Sequence, residues 1–152
     1  MSSQYTFTGQ FAFSLDSKNR INIPAPLRKQ FSTKDKKTFV VTRGIDQCAW
    51  IYPISEWNFI QNELKQLSSL SKTNRIFLRN HLRHANILKF DSQGRFVLPQ
   101  SLIDYSAIKK DVTIIGVLNK IEIWNPNLLR KIDQSDEIDD QSYEELSERV
   151  NI

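Results

Sequence analysis

Two short segments, 75 residues apart, carry the same pair of charged groups at the same spacing: Asp16-Ser-Lys-Asn-Arg20 and Asp91-Ser-Gln-Gly-Arg95. A carboxylate at the head of a turn accepts hydrogen bonds from the turn's own amides and so orders the loop without a partner. The arginine four residues on is harder to explain by structure, because an exposed ion pair adds little to stability. Its planar fork of donors matches a phosphate or the edge of guanine. Two readings stand side by side here: an internal Asp/Arg bridge that holds a bend, and an arginine presented to nucleic acid. Asn19 and Gly94, which precede the two arginines, are the residue types that most readily adopt left-handed backbone, so both bends call for it at that position.

Both segments lie inside a longer internal duplication. An alternating apolar run leads into each aspartate, and after each arginine the alternation resumes and ends at a proline: Ile21-Asn-Ile23-Pro24 and Phe96-Val-Leu98-Pro99. Leu27 and Leu102 then open one or two helical turns with proline at or near the start. A β-rich run follows in each copy, Thr38 to Gly44 and Val112 to Gly116, and a last strand closes at Pro53 or Pro126. Gly44 and Gly116 are expected where those strands turn back. Each copy thus reads as strand, turn, strand, short helix, strand, turn, strand. The copies differ by a few residues of polar, lysine-rich loop, Ser32 to Lys37. Units this short bury little apolar surface alone, so the two are expected to pack on one another or on further subunits.

Between the copies, Ser55 is placed to cap a helix over residues 56–67, on which Trp57, Ile60, Leu64 and Leu67 recur at helical spacing. Ser71 is placed to cap a second helix from Lys72 to His84. Arg75, Arg79 and Arg83 form one stripe on it, which reads first as a solvated face and otherwise as a phosphate contact or a subunit contact. His81 and His84 stand at i, i+3, yet no carboxylate or second cysteine joins them, so packing or polar roles are favoured over a metal. Trp50, Tyr52, Trp57 and Trp124 are expected in core or subunit contacts rather than as base-stacking platforms. No nucleophile elbow or phosphate-cradling glycine loop points to an enzyme, and no cofactor or small-molecule substrate is implied.

Charge is unevenly distributed. Residues 1–132 hold 20 Lys and Arg against 9 Asp and Glu, a balance of +11, whereas residues 133–152 hold 1 against 8, a balance of −7. A basic body is the electrostatic footprint of a polyanion binder. The acidic tail is expected to be mobile or weakly helical, serving solubility, competing with nucleic acid for the basic face, or ordering Tyr143 and Leu146 against a protein partner. A lone Cys48, the absence of a run of 18 apolar residues and a Met-Ser-Ser-Gln-Tyr start lead us to expect a soluble cytoplasmic protein with no membrane partner.

In the order, duplication and spacing of its motifs the chain resembles the MraZ family of bacterial transcriptional regulators. The likeness is carried by the two Asp-x-x-x-Arg bends with their Ile-x-Ile-Pro and Val-Leu-Pro continuations, by Arg43-Gly44 ahead of Tyr52-Pro53, and by the run from Leu118 through Trp124 to Pro126. It spans roughly residues 7–130 and implies an α+β fold of two AbrB-like swapped β-hairpin units, related by a pseudo-twofold axis and joined by a helical hairpin. The implied divisions are unit 1 over 7–54, the helical linker over 55–85, unit 2 over 86–130 and the acidic tail over 131–152. The resemblance further implies a homo-oligomer, usually a ring, that binds direct repeats of double-stranded DNA in the promoter of the division and cell-wall gene cluster. Such proteins act usually as repressors, and the resemblance implies a cytoplasmic, nucleoid-associated location. Carried over residue by residue, the DNA-binding set is Asp16, Lys18, Arg20, Arg28, Lys29, Asp91 and Arg95. Ile103 and Asp104 stand where the second unit needs its two basic residues, and Gln93 replaces Lys18, so the first unit is expected to dominate DNA contact. An antitoxin-like or scaffold module and an RNA-binding protein are the competing functions.

Overall fold

The computed structural model describes residues 3–135 and 139–150; residues 1–2, 136–138 and 151–152, the last two stretches belonging to the acidic tail, lie outside the described residues. The first copy runs β1 (Phe7–Ser14), β2 (Arg20–Asn22), α1 (Ala25–Arg28), β3 (Thr38–Arg43) and β4 (Ala49–Pro53). After α2 (Ile54–Leu64) and α3 (Lys72–Leu82), the second copy repeats that order as β5 (Asn86–Lys89), β6 (Arg95–Val97), α4 (Gln100–Tyr105), β7 (Asp111–Leu118) and β8 (Lys120–Trp124). Two helices follow, α5 (Pro126–Asp133) and α6 (Asp140–Arg149). The α+β class and the element order within each copy agree with the sequence reading.

The copies interdigitate. Six strands form one antiparallel sheet in the order β1-β7-β8-β4-β3-β5, and β2 pairs with β6 in a separate two-stranded ribbon. The opening strand of each copy therefore pairs with the third strand of the other, and exchanging the copies maps this order onto itself. One consequence alters the sequence picture: β1 and β2 are not sheet partners, so the Asp16 to Arg20 bend is a corner that carries the chain from the large sheet to the ribbon.

Strand alternation builds three layers. Phe39, Val41 and Ile51 face one side of the sheet, where the ribbon and short helices cover them with Ile21, Ile23, Leu27, Phe96, Leu98 and Leu102 in one buried cluster. Val40 and Tyr52 face the other side and pack with Trp57 of α2. The α3 helix is tied to the same face by Thr42 Oγ1, which donates to the His81 carbonyl at 2.6 Å. The imidazole of His81 stacks on Phe77 at 5.7 Å and meets Trp50 and Trp57 at 6.1 and 5.7 Å. Burial among these rings holds its pKa below the ordinary histidine value, with the nearby charge of Lys120 adding to the effect. Tyr52, Trp57 and Trp124 are buried and Trp50 is half-buried, as packing residues should be.

Several local expectations need correction. Gly116 does not sit in a turn but inside β7, opposite Gly9 of β1, and the reversal falls at Leu118, which has φ of 59°. Gly116 is there because β1 passes so close that a Cβ would lie 2.4 Å from the Thr8 nitrogen. Ser55 does not cap α2, whose N-cap is Pro53; its backbone N–H instead donates to buried Asp35 Oδ1 at 2.9 Å. Ser71 does cap α3, accepting from the Asn74 amide. In the tail, Asp139 caps α6 by accepting from the Ser142 amide. No residue of that helix is buried; Tyr143 and Leu146 on it and Val150 at its C-terminal cap are exposed.

Candidate nucleic-acid interface

The two Asp-x-x-x-Arg bends are the same hydrogen-bonded object built twice. In the first, Asp16 Oδ1 accepts from the amides of Lys18 and Arg20 at 2.8 and 2.9 Å, and Oδ2 accepts from Arg20 Nε at 2.6 Å. In the second, Asp91 Oδ1 accepts from the amides of Gln93 and Arg95, both at 2.9 Å, and Oδ2 accepts from Arg95 Nε at 3.0 Å. Asn19 and Gly94 adopt φ of 58° and 78°, the left-handed backbone their types anticipate. Only Nε of each guanidinium is taken up by its aspartate. The aspartates thus orient the arginines, while the outer Nη atoms have no hydrogen-bond partner among the described residues.

These networks make a pH prediction. The Arg20 amide, before any other cause, lowers the Asp16 carboxyl from the ordinary 3.8 to about 2, and the Arg95 amide likewise leads the depression at Asp91. Because the folded value lies below the unfolded one, the stabilisation of the bend is fully present above pH 3.8 and is lost as pH falls through about 2. Carboxyl-carbon NMR titration should give a midpoint for Asp16 near 2, with the Lys18 and Arg20 amide shifts moving together with it. A midpoint at the ordinary aspartate value would mean the bend is open in solution.

The ribbon places the two arginines together. In its register Arg20 stands opposite Val97, Ile21 opposite Phe96 and Asn22 opposite Arg95. Ile21 and Phe96 point into the core, so the flanking Arg20, Asn22, Arg95 and Val97 share the outer face. Arg20 and Arg95 are diagonal neighbours on it, a relation that sets Cα atoms about 7–8 Å apart. Asn22 and Val97 were not singled out from the sequence; the burial of Ile21 and Phe96 was the signal, because alternation then turns their neighbours outward. Val97 is 54% exposed, unusual for a large apolar side chain.

Each bend is braced by the other copy. The Ile23 amide donates to the Gly94 carbonyl at 3.3 Å, and the Leu98 amide donates to the Asn19 carbonyl at 2.9 Å. Arg28 crosses the same boundary. Its Nε donates to the Ile23 carbonyl at 2.7 Å, and its guanidinium lies where a Cβ on Gly94 would fall 2.4 Å from Cζ. Arg28 and Lys29, carried over as DNA-binding residues of the first unit, line a cavity of about 470 Å³ beside the second bend, together with Lys36, Lys37, Asp91 and Gly94. Lys18 lies exposed in the first bend. Of the α3 stripe, Arg75 is committed to the Ser69 and Leu70 carbonyls, at 2.8 and 3.0 Å. Among the described residues no cluster of three or more His, Cys, Asp or Glu could hold a metal ion, and no helix is long and apolar enough to cross a membrane.

Comparison with known proteins gives one consistent result. A family model described as "MraZ protein, putative antitoxin-like" matches twice in succession, over residues 6–80 and 81–150, which agrees with the duplication. A protein of Natranaerobius thermophilus named "Transcriptional regulator MraZ" is 40% identical over 144 residues, covering 95% of this chain and 96% of its own. Proteins with the same name from Clostridium botulinum (strain Alaska E43) and Pediococcus pentosaceus are 39% and 37% identical, each again over 95% of this chain and 96% of their own.

Proposed function

Given that the chain belongs to the MraZ family, we propose that it is a transcriptional regulator that binds specific double-stranded DNA through the outer face of the β2–β6 ribbon. One observation carries this reading: two guanidinium groups, oriented by identical bends and unpartnered at their outer ends, stand on one face of a two-stranded ribbon. A ribbon of this kind fits the major groove, where arginine reads guanine, asparagine reads adenine and an exposed valine meets the thymine methyl. The basic body supplies the sequence-independent attraction to phosphate.

In this reading the interdigitated copies are AbrB-like swapped hairpins, with residues 7–54 and 86–130 as DNA-binding units, 55–85 as linker and 131–152 as tail. The regulator acts as a homo-oligomer on promoter direct repeats of the division and cell-wall gene cluster, as a repressor, in the nucleoid-associated cytoplasm. Exposure of Leu70, Ile76, Phe77 and Leu82 on and beside α3 supports assembly through the helical hairpin. Several modest surfaces on one oligomer then act on repeated sites by effective concentration.

The test is a titration at fixed salt against duplex carrying the repeats, shuffled duplex and single-stranded RNA. We expect tightest binding to the repeats, by at least about a thousandfold over shuffled duplex. Equal affinity for the two duplexes, or preference for RNA, would overturn the reading. A second reading rests on the exposed Tyr143 and Leu146 of α6 and on Val150 at its C-terminal cap, an apolar strip on an acidic helix that suits a protein partner. On that antitoxin-like or scaffold reading, deleting the tail removes the partner and leaves DNA retention untouched.

A further inference from the structure

We propose that the cavity beside the second bend is a phosphate site that grips the DNA backbone, with Lys36 and Lys37 as its principal cations. This deepens the DNA-binding reading and rests on it. The loop that carries these lysines is held firmly in place. Ser32 and Asp35 form a capping box around it, Ser32 Oγ accepting from the Lys34 amide and Asp35 Oδ2 from the Ser32 amide, at 3.1 and 3.2 Å. Asp35 is itself buried and accepts from the Tyr5 hydroxyl and the Ser55 amide. At the loop's far end the Lys37 carbonyl accepts from the Phe90 amide at 3.1 Å, one residue before Asp91. The loop of the first copy is thus fastened directly to the second Asp-x-x-x-Arg bend.

Residue type at the loop's tip then becomes informative. Lys36 and Lys37 have φ of 49° and 62°, two consecutive left-handed residues that are neither glycine nor asparagine. Each carries the strain of a Cβ in that region, which glycine lacks and which asparagine offsets through local hydrogen bonds of its short polar side chain. Backbone chemistry alone does not select lysine there, whereas a need for cations does. Both side chains are exposed, Arg28 and Lys29 line the same cavity, and the carboxylate on its wall, Asp91, is already occupied by Arg95 and the bend amides. A backbone phosphate beside the outward-facing Arg95 therefore meets uncompensated positive charge. The second unit's missing basic residues are supplied from the first.

Lys36→Asn with Lys37→Asn tests this, since asparagine keeps the left-handed backbone and removes only charge. Binding of the full-length wild type and variant to the repeat duplex and the shuffled duplex is measured over a range of salt. The plot of log affinity against log salt should flatten by about two in the variant for each DNA-contacting subunit, equally on both duplexes. An unchanged slope with wild-type DNA binding intact removes this site alone, and so does a loss confined to the repeat sequence, which would signal base contact. Absence of duplex binding by the wild type removes the DNA reading and this site with it.

Discussion

Replacing Arg20 and Arg95 together with alanine should leave the chain folded and its assembly unchanged in size while abolishing retention of repeat DNA in a gel shift. Folding is spared because both side chains are partly exposed, at 30% and 29%, and the ribbon's buried contacts come from Ile21 and Phe96. The aspartates keep their bonds to the bend amides when the guanidinium is removed, so each bend stays closed. Binding is not spared. A bidentate arginine–guanine contact is worth about 1–3 kcal/mol, so two per subunit correspond to a loss of roughly 30-fold to 10⁴-fold, multiplied over the subunits engaged. A lysine pair at the same positions separates charge from geometry. It should restore much of the salt-dependent, non-specific affinity but little of the preference for the repeats, because an ammonium lacks the planar fork. Retention of the repeats by the alanine pair at wild-type affinity, with unaltered mass by light scattering, would remove these arginines from the interface.

The largest stability effect should come from Gly116→Ala. A methyl group there meets main chain rather than flexible side chain: 2.4 Å to the Thr8 nitrogen, 2.6 Å to the Phe7 carbonyl carbon and 2.9 Å to Thr8 Cα. No rotamer relieves this, so β1 must separate from β7 along a pairing that runs from Phe7 opposite Leu118 to Ser14 opposite Asp111. Overpacking of this kind costs about 3 kcal/mol, which for a chain of this length lowers Tm by about 6–12 °C. The backbone of Gly116 is not left-handed, so the cost measures proximity of the strands alone. Since β1 leads straight into Asp16, the variant should also weaken DNA binding through the first bend. A Tm within 2 °C of wild type would show that the strands do not approach as closely as described.

The bends were legible because all their determinants are contiguous: a carboxylate, an arginine four residues on and a residue suited to positive φ close one ring of hydrogen bonds within five residues. The short helices were legible for the same local reason, with Pro24 to Leu27 and Pro99 to Leu102 carrying their own start signals. Gly116 was misread because a glycine that admits a neighbouring strand and a glycine that turns a chain look alike in one dimension. Ser55 was misread because it has the chemistry of a cap, and only the fold reveals that Asp35 claims its amide. The cap of α6 at Asp139 went unread amid general acidity, although an aspartate ahead of Ser142 carried the signal.

The amino-acid sequence by itself determined that this protein is a duplication, that each copy sets an arginine four residues after an aspartate in a bend, and that a basic body carries an acidic tail. These follow from spacing, residue type and charge, which act over a few residues or over none. The tertiary structure alone decided that both arginines share one face, and that Arg28, Lys29, Lys36 and Lys37 lie beside the bend of the other copy. The physical reason is that strand partners cannot be ranked from local propensity. Pairing each opening strand with its own copy or with the other satisfies the same backbone groups. What separates the two is burial: interdigitation lets Ile21, Ile23 and Leu27 of one copy close a single core with Phe96, Leu98 and Leu102 of the other.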